Sequence, residues 1–172
     1  VKVGKPAYCE LTLPDNMPQI WQIASIVAVS VDNNPIGAFA LADSLKEDSL
    51  QAIQRLHQHN IDVVIMSGDQ QSVVDYVAQQ VGVKTAKGNC SPRDKAAYIE
   101  TLRQQGKVVA MVGDGVNDAP ALAMANVSFA MKSGSDVAEQ TASATLMQHS
   151  VDQLVDGLMI SRATLKNIKQ NL

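Results

Sequence analysis

The stretch Val108-Val109-Ala110-Met111-Val112-Gly113-Asp114-Gly115-Val116-Asn117-Asp118-Ala119-Pro120-Ala121-Leu122 constrains this chain more than any other. Five consecutive apolar residues read as a strand buried on both faces, the pattern of a parallel sheet. The run stops at a Gly-Asp-Gly turn, where two glycines free the backbone to bend sharply and let a ligand come close. Asp114 then falls at the carboxyl end of the strand, where open α/β sheets hold their ligands. Asn117 and Asp118 follow on the next turn. Asp118 suits the N-cap of a helix opening at Ala119, and Pro120 suits its first turn. Capping needs one carboxylate, whereas this turn carries two and an amide. A set of hard oxygen donors this dense suits Mg²⁺, which makes Asp114 and Asp118 the candidate metal ligands.

A second strand-turn-helix precedes it. Residues 61–66 form an apolar run that ends in Ser67-Gly68-Asp69, and residues 70–81 place Val73, Val74, Val77 and Val81 on one helical face before Gly82. A hydroxyl beside backbone N–H groups at a helix N-terminus favours an anion. The tripeptide alone reads better as an N-capping turn than as a phosphoryl site. Residues 93–105 read as a further helix with Ala96, Ile99 and Leu102 inward. Lys95 lies in its first turn, where a cation opposes the helix dipole unless an anion is near.

The ten residues from Gly113 to Leu122 resemble the hinge motif of P-type ATPases, whose phosphorylation domain has a haloacid-dehalogenase-like fold. That family usually has Ile where Val116 stands. Ser67-Gly68-Asp69 is similar to the family's Thr-Gly-Asp, with the hydroxyl kept and the methyl lost. Pro92-Arg93-Asp94-Lys95 is similar to its Pro-x-x-Lys segment, and the three pieces occur in family order. The Asp94-Lys95-Ala96-Ala97 segment and the junction near Leu172 look most like those of bacterial copper exporters. The resemblance implies that Ser67, Gly68, Asp69, Lys95 and Asn117 serve catalysis, with Ser67 and Lys95 holding a phosphoryl group from ATP. It implies Mg²⁺ at Asp114 and Asp118. The family's nucleophile, the aspartate of Asp-Lys-Thr-Gly-Thr, does not occur in these 172 residues. The expectation is therefore the distal part of a copper or heavy-metal transporter's phosphorylation domain, inactive by itself.

That expectation brings partners with it: the strand bearing the nucleophile, a nucleotide-binding domain, an actuator domain and membrane helices. The parent would sit in the cell membrane with this region on its cytoplasmic side. Two other readings stand beside it. One is a stand-alone protein of the same fold that binds Mg²⁺ or phosphate without catalysis. The other is a complete phosphatase, for which Asp43 after Phe39-Ala40-Leu41-Ala42 is the sole candidate nucleophile, though no Asp-x-Asp or Asp-x-Thr begins there.

Composition narrows the remaining classes. Aromatic residues are 3% and the net charge is −3, which disfavours a stacking platform or basic footprint for nucleic acid. Cys9 and Cys90 are far apart and form no Cys-x-x-Cys or Cys-Pro-Cys motif. His57 and His59, two apart on a helix, point in different directions. Ligation of a transported metal by this chain is therefore not expected. No apolar run approaches the ~20 residues of a membrane span, and no signal peptide opens the chain, so the chain itself is expected to be soluble.

The expected architecture is α/β: a parallel Rossmann-type sheet of the haloacid-dehalogenase kind, helices on both faces, the nucleophile strand missing, and an antiparallel hairpin in front. Residues 1–42 read as the end of a nucleotide-binding domain, with a hairpin turning at Asp32-Asn33-Asn34-Pro35 and a hinge at Asp43. Residues 43–149 are the phosphorylation-domain part. Its first helix is expected over 44–59, with Ser44 and Glu47 as a capping box, and short strands over 84–86, 127–130 and 144–147. Residues 150–172 read as one long helix with an apolar stripe and late cations, a stalk leading toward the membrane. Strands 61–66 and 108–112 would flank the missing strand. Residues 27–31, or a second copy of the chain, are expected to fill that position, in preference to direct pairing of the two flanking strands.

Overall fold

A computed structural model describes residues 1–42, 44–113, 116–132, 136–147 and 150–171, with the side chains of residues 22, 116, 137 and 138 left aside. The chain forms two compact units, Val1–Leu45 and Lys46–Leu172.

The first unit is an antiparallel sheet of β1 (Lys2–Gly4), β2 (Ser25–Val31) and β3 (Asn34–Leu41) in that order. Asp32 and Asn33 both take positive φ, 48° and 64°, the pair of left-handed residues that a two-residue hairpin turn requires. A 3₁₀ turn (Pro6–Cys9) covers one face of the sheet, where the buried Cys9 thiol donates to the Ala28 carbonyl at 3.2 Å. A short helix, α1 (Gln19–Ile23), runs into β2. The other face of the sheet carries Val3, Phe39 and Leu41, all exposed.

The second unit alternates strands and helices. Its helices are α2 (Ser49–Gln58), α3 (Gln71–Val81), α4 (Pro92–Gln104), α5 (Ala119–Met124), α6 (Asp136–Thr141) and α7 (Val151–Gln170). Its strands are β4 (Val64–Met66), β5 (Thr85–Lys87), β6 (Ala110–Gly113), β7 (Val127–Met131) and β8 (Ala144–Leu146). Every pairing is parallel: β4 with β5, β6 with β7, and β7 with β8. Parallel strands need crossover helices, and the helical stretches between these strands supply them. One core joins Ala52, Ile53 and Leu56 of α2 to Ala78 and Val81 of α3, Val83, and Val155 of α7, with Ile65 of β4 and Ala86 of β5 against it. A second core sets Leu122 of α5 on Ala130 of β7 and Met111 of β6.

Several expectations change. Residues 27–31 lie in β2 and pair with β1 on one edge and β3 on the other, so they are not available as a strand beside β4. Their hydrogen bonds are spent locally, because a two-residue turn brings β3 alongside with little loss of chain entropy. Among the described residues β4 and β6 are not paired with each other, as expected. The apolar run 108–112 is not buried on both faces. Val108 is 85% exposed, and the strand begins only at Ala110, where pairing with Val127 starts. Likewise the run 61–66 becomes strand only from Val64, opposite Thr85.

The helix expected over 44–59 starts five residues late, and Ser44 with Glu47 forms no capping box. Asp48 stands at the N-cap position without a side-chain cap, its carboxylate accepting instead from the Ser150 hydroxyl. Helical stability comes mainly from docking an apolar face. The face that docks starts at Ala52, whereas Leu45 and Leu50 remain exposed. Asp43 and Leu172 lie outside the described residues.

Candidate functional site

The loops that follow β4, β5 and β6 carry the expected site residues, all at the carboxyl ends of parallel strands. Ser67 follows Met66 directly. Its N–H donates to the Lys87 carbonyl at 3.0 Å, and its carbonyl accepts from the Cys90 N–H at 2.9 Å. The loop after β4 is thereby sewn to the loop after β5. The Ser67 hydroxyl donates to Asp69 Oδ2 at 2.7 Å and accepts from the Asp69 N–H at 3.2 Å. Asp69 O in turn accepts from the Asn89 N–H at 2.7 Å. Gly68 has room for a methyl group, since a Cβ there would stand 3.7 Å from Cys90 O, an ordinary contact.

Gly88 explains how close the two loops lie. A Cβ on it would fall 2.6 Å from Gln71 Cα and 2.9 Å from Asp69 O, so only glycine fits against the first turn of α3. Gln71 completes the clamp: its Oε1 accepts from the Gly88 N–H at 2.6 Å, and its Nε2 donates to Asp75 Oδ1 at 2.7 Å and to Ala86 O at 3.3 Å. Nothing in the local pattern around Gln71 announces this role.

Helix α4 starts from the far side of that loop. Ser91 caps it, accepting from the Asp94 N–H at 3.2 Å, while Asp94 Oδ2 accepts from the Ser91 N–H at 2.8 Å. The Ser91 hydroxyl also donates to Asp94 Oδ2 at 2.6 Å, and this bond foremost, with the one from the Ser91 N–H next, holds the Asp94 carboxyl below its ordinary range. The Ser-x-x-Asp spacing at 91–94 is a signal the sequence does contain. One turn into α4, Lys95 Nζ reaches Asp118 Oδ1 at 2.8 Å. The Lys95 and Asp118 side chains are 15% and 11% exposed, so this pair is largely withdrawn from water. The cation that opposes the helix dipole therefore has its anion, supplied from the loop after β6.

Asp118 ends the 3₁₀ turn Val116–Asp118 and stands at the start of α5, but its side chain makes no cap there. The expected capping role gives way to the ion pair, whose two full charges outweigh one neutral N–H donor. Gly113 is shaped by the same side chain: a Cβ on Gly113 would lie 2.7 Å from Asp118 Cβ and Oδ2. Close approach of Asp118, rather than a bend, requires glycine at this strand end. Asn117 is exposed on the same turn. Asp114 and Gly115 lie outside the described residues, as do Ser133, Gly134 and Ser135. The chemistry of the donor set fits Mg²⁺: two carboxylates and an amide oxygen within five residues of sequence, all hard oxygen donors.

The alternation of helices with parallel strands agrees with the haloacid dehalogenase-like hydrolase family, whose family model matches residues 2–126. The chain belongs to that family. Within it, the sequence is similar to P-type ATPases. It is 74% identical over 172 residues to the "Probable cation-transporting ATPase" of Haemophilus influenzae, covering all of this chain and 24% of the relative. It is 42% identical over 163 residues to the "Copper-exporting P-type ATPase" of Vibrio cholerae, covering 95% of this chain and 18% of the relative. The fold superposes on the crystal structure of a zinc-transporting PIB-type ATPase in the E2.Pi state with a TM-score of 0.83 at 36% identity, over 89% of this chain and 25% of that one. The chain thus spans about a quarter or less of the curated relatives it matches.

Proposed function

We propose that this chain is the distal part of the phosphorylation domain of an ATP-driven copper or heavy-metal cation transporter, with the end of a nucleotide-binding domain in front and a stalk helix behind. The observation that carries the reading is the Lys95–Asp118 ion pair, which ties the first turn of α4 to the turn before α5, with Ser67 bonded to the loop that leads into α4; the three pieces follow the order that the P-type resemblance implies. The similarity to ATPases of Haemophilus influenzae and Vibrio cholerae supports it.

In this reading Ser67 and the backbone N–H groups of its turn receive phosphoryl oxygens, held in place by the Gly88–Gln71 clamp. Lys95 supplies positive charge to the same oxygens, and Asp118 fixes where that ammonium stands. Asp114 and Asp118 are the carboxylates for Mg²⁺, which when bound neutralises charge developing on the transferred group. Asn117 orients the turn between them. The attacking carboxylate, which would form the acyl phosphate, comes from a strand outside these 172 residues. The edges of β4 and β6 away from β5 and β7 support that placement, since neither has a partner among the described residues. The chain alone carries no ATPase activity.

The test is made in the full-length transporter. Asp114→Asn should reduce the hydroxylamine-sensitive phosphoenzyme at least a hundredfold, on the order of the loss when a transition-state charge partner is removed. Asp136→Asn, at the exposed first position of α6, should leave it unchanged. Equal loss from both changes would refute the assignment of the metal site.

A further inference from the structure

Among the described residues, the second half of α7 belongs to neither core. Leu154 and Val155 are buried and dock the helix against α2. There Arg55 of α2 grips it, with Nη1 on Asp152 and Nη2 on Asp156 Oδ1 at 2.6 Å, and both carboxylates raise the Arg55 pKa, Asp156 foremost. Beyond that clasp every residue from 161 to 171 is exposed. Asp156 is also the last acidic residue of the sequence. After it come Arg162, Lys166 and Lys169, a local charge of +3 on a chain whose net charge is −3.

Spacings of four and three put those three cations on one face of the helix, each a turn from the next. They continue the line of Val151 and Val155, so the side that is core-facing near α2 becomes basic once the helix leaves the domain. Leu158, Leu165 and Ile168 run alongside as a narrow apolar stripe, with Leu165 and Ile168 about half exposed. Asn167, Gln170 and Asn171 occupy the remainder. At 1.5 Å per residue, Arg162 to Lys169 spans roughly 10 Å. The polar layer on each side of a bilayer is about 5–8 Å deep, and long basic side chains extend their reach along it.

We propose that this basic face of α7 binds the anionic lipid headgroups of the membrane, so that lipid charge fixes the stalk where it meets the surface. Charge complementarity selects this occupant: three unpaired-in-sequence cations with no acid for a full three turns need an anionic surface, and an apolar stripe beside them suits the acyl boundary. A second copy of the chain would cover the apolar stripe but bring three like charges alongside the first three. The inference rests on the stalk reading above.

The experiment uses the 172-residue chain and sedimentation with vesicles, either phosphatidylcholine alone or an equimolar mixture with phosphatidylglycerol. Binding to the mixed vesicles is expected, weakening as salt rises, with little on phosphatidylcholine alone. Each cation is worth roughly a factor of five near an anionic surface, so the combined Arg162→Gln, Lys166→Gln, Lys169→Gln variant should lose about a hundredfold in partitioning. The charge-keeping Arg162→Lys, Lys166→Arg, Lys169→Arg variant should retain it, which separates charge from helix integrity; circular dichroism checks that all variants keep their helix. Equal partitioning onto both vesicles, or binding that survives loss of the three cations, would overturn the proposal. So would a dimer in light scattering that Leu165→Ser dissolves, if mixed vesicles bind nothing. None of these outcomes depends on the phosphoenzyme measured with Asp114→Asn, so failure here and failure of the functional reading remain distinct.

Discussion

Lys95→Met removes the ammonium from a pair that is mostly withdrawn from water, with 15% and 11% of the two side chains exposed. Fully exposed pairs contribute ~0–1 kcal/mol, whereas removing one member of a buried pair costs ~3–5 kcal/mol because its partner's charge stays behind. This pair lies near the buried limit and keeps a 2.8 Å contact, so the lower end of that range applies, about 3 kcal/mol. Urea unfolding followed by far-ultraviolet circular dichroism reads the loss directly. A thermal scan should fall by about 6–12 °C, at ~2–4 °C per kcal/mol for a chain of this size. Combining Lys95→Met with Asp118→Asn should cost less than the sum of the two single changes, since no full charge is then left without its partner. High salt should change the wild-type value little, because ions screen withdrawn pairs weakly. A Lys95→Met variant within ~0.5 kcal/mol of wild type, the range of an ordinary surface change, would refute the claim that this ion pair organises the site.

Gly88→Ala forces a methyl group into the Gln71 backbone at 2.6 Å, so the loops after β4 and β5 must separate. Amide exchange at Cys90, whose N–H donates to Ser67 O, should speed at least tenfold, while Gly68→Ala, with 3.7 Å of room, should not change it. Ser91→Ala should cost about 1 kcal/mol through the lost cap and let the Asp94 carboxyl rise toward its ordinary value in an NMR titration. Because the folded Asp94 pKa is depressed, the stability linked to it is present above the ordinary carboxyl pKa and disappears as pH falls through the lowered one. Ser91→Ala should therefore flatten the acid limb of the stability profile and leave neutral pH without a slope. Incubating the 172-residue chain with labelled ATP and Mg²⁺ should leave no label on an acid gel; a hydroxylamine-sensitive band would show that the chain holds its own nucleophile.

Local chemistry was enough to determine much of this protein. Helix α3 ends at Gly82 with φ 74°, a left-handed position that glycine adopts without strain. The hairpin turns at Asp32-Asn33, and the later residues of the two apolar runs, from Val64 and from Ala110, are strands with parallel partners. Each of these follows from residues within a few positions of one another, and a resemblance of motifs supplied the family. What the tertiary structure decided involves residues that sequence separation hides. Lys95 finds Asp118 across 23 residues, and that pairing, not helix capping, sets where the Asp118 carboxylate lies. Gly88 is glycine because a Cβ there would stand within 3 Å of the Gln71 backbone, seventeen residues earlier in the chain. Arg55 meets Asp152 and Asp156 about a hundred residues downstream. The start of α2 and the exposure of Val108 likewise depend on where a core exists to receive them, since an apolar residue is buried only if some other surface comes to cover it.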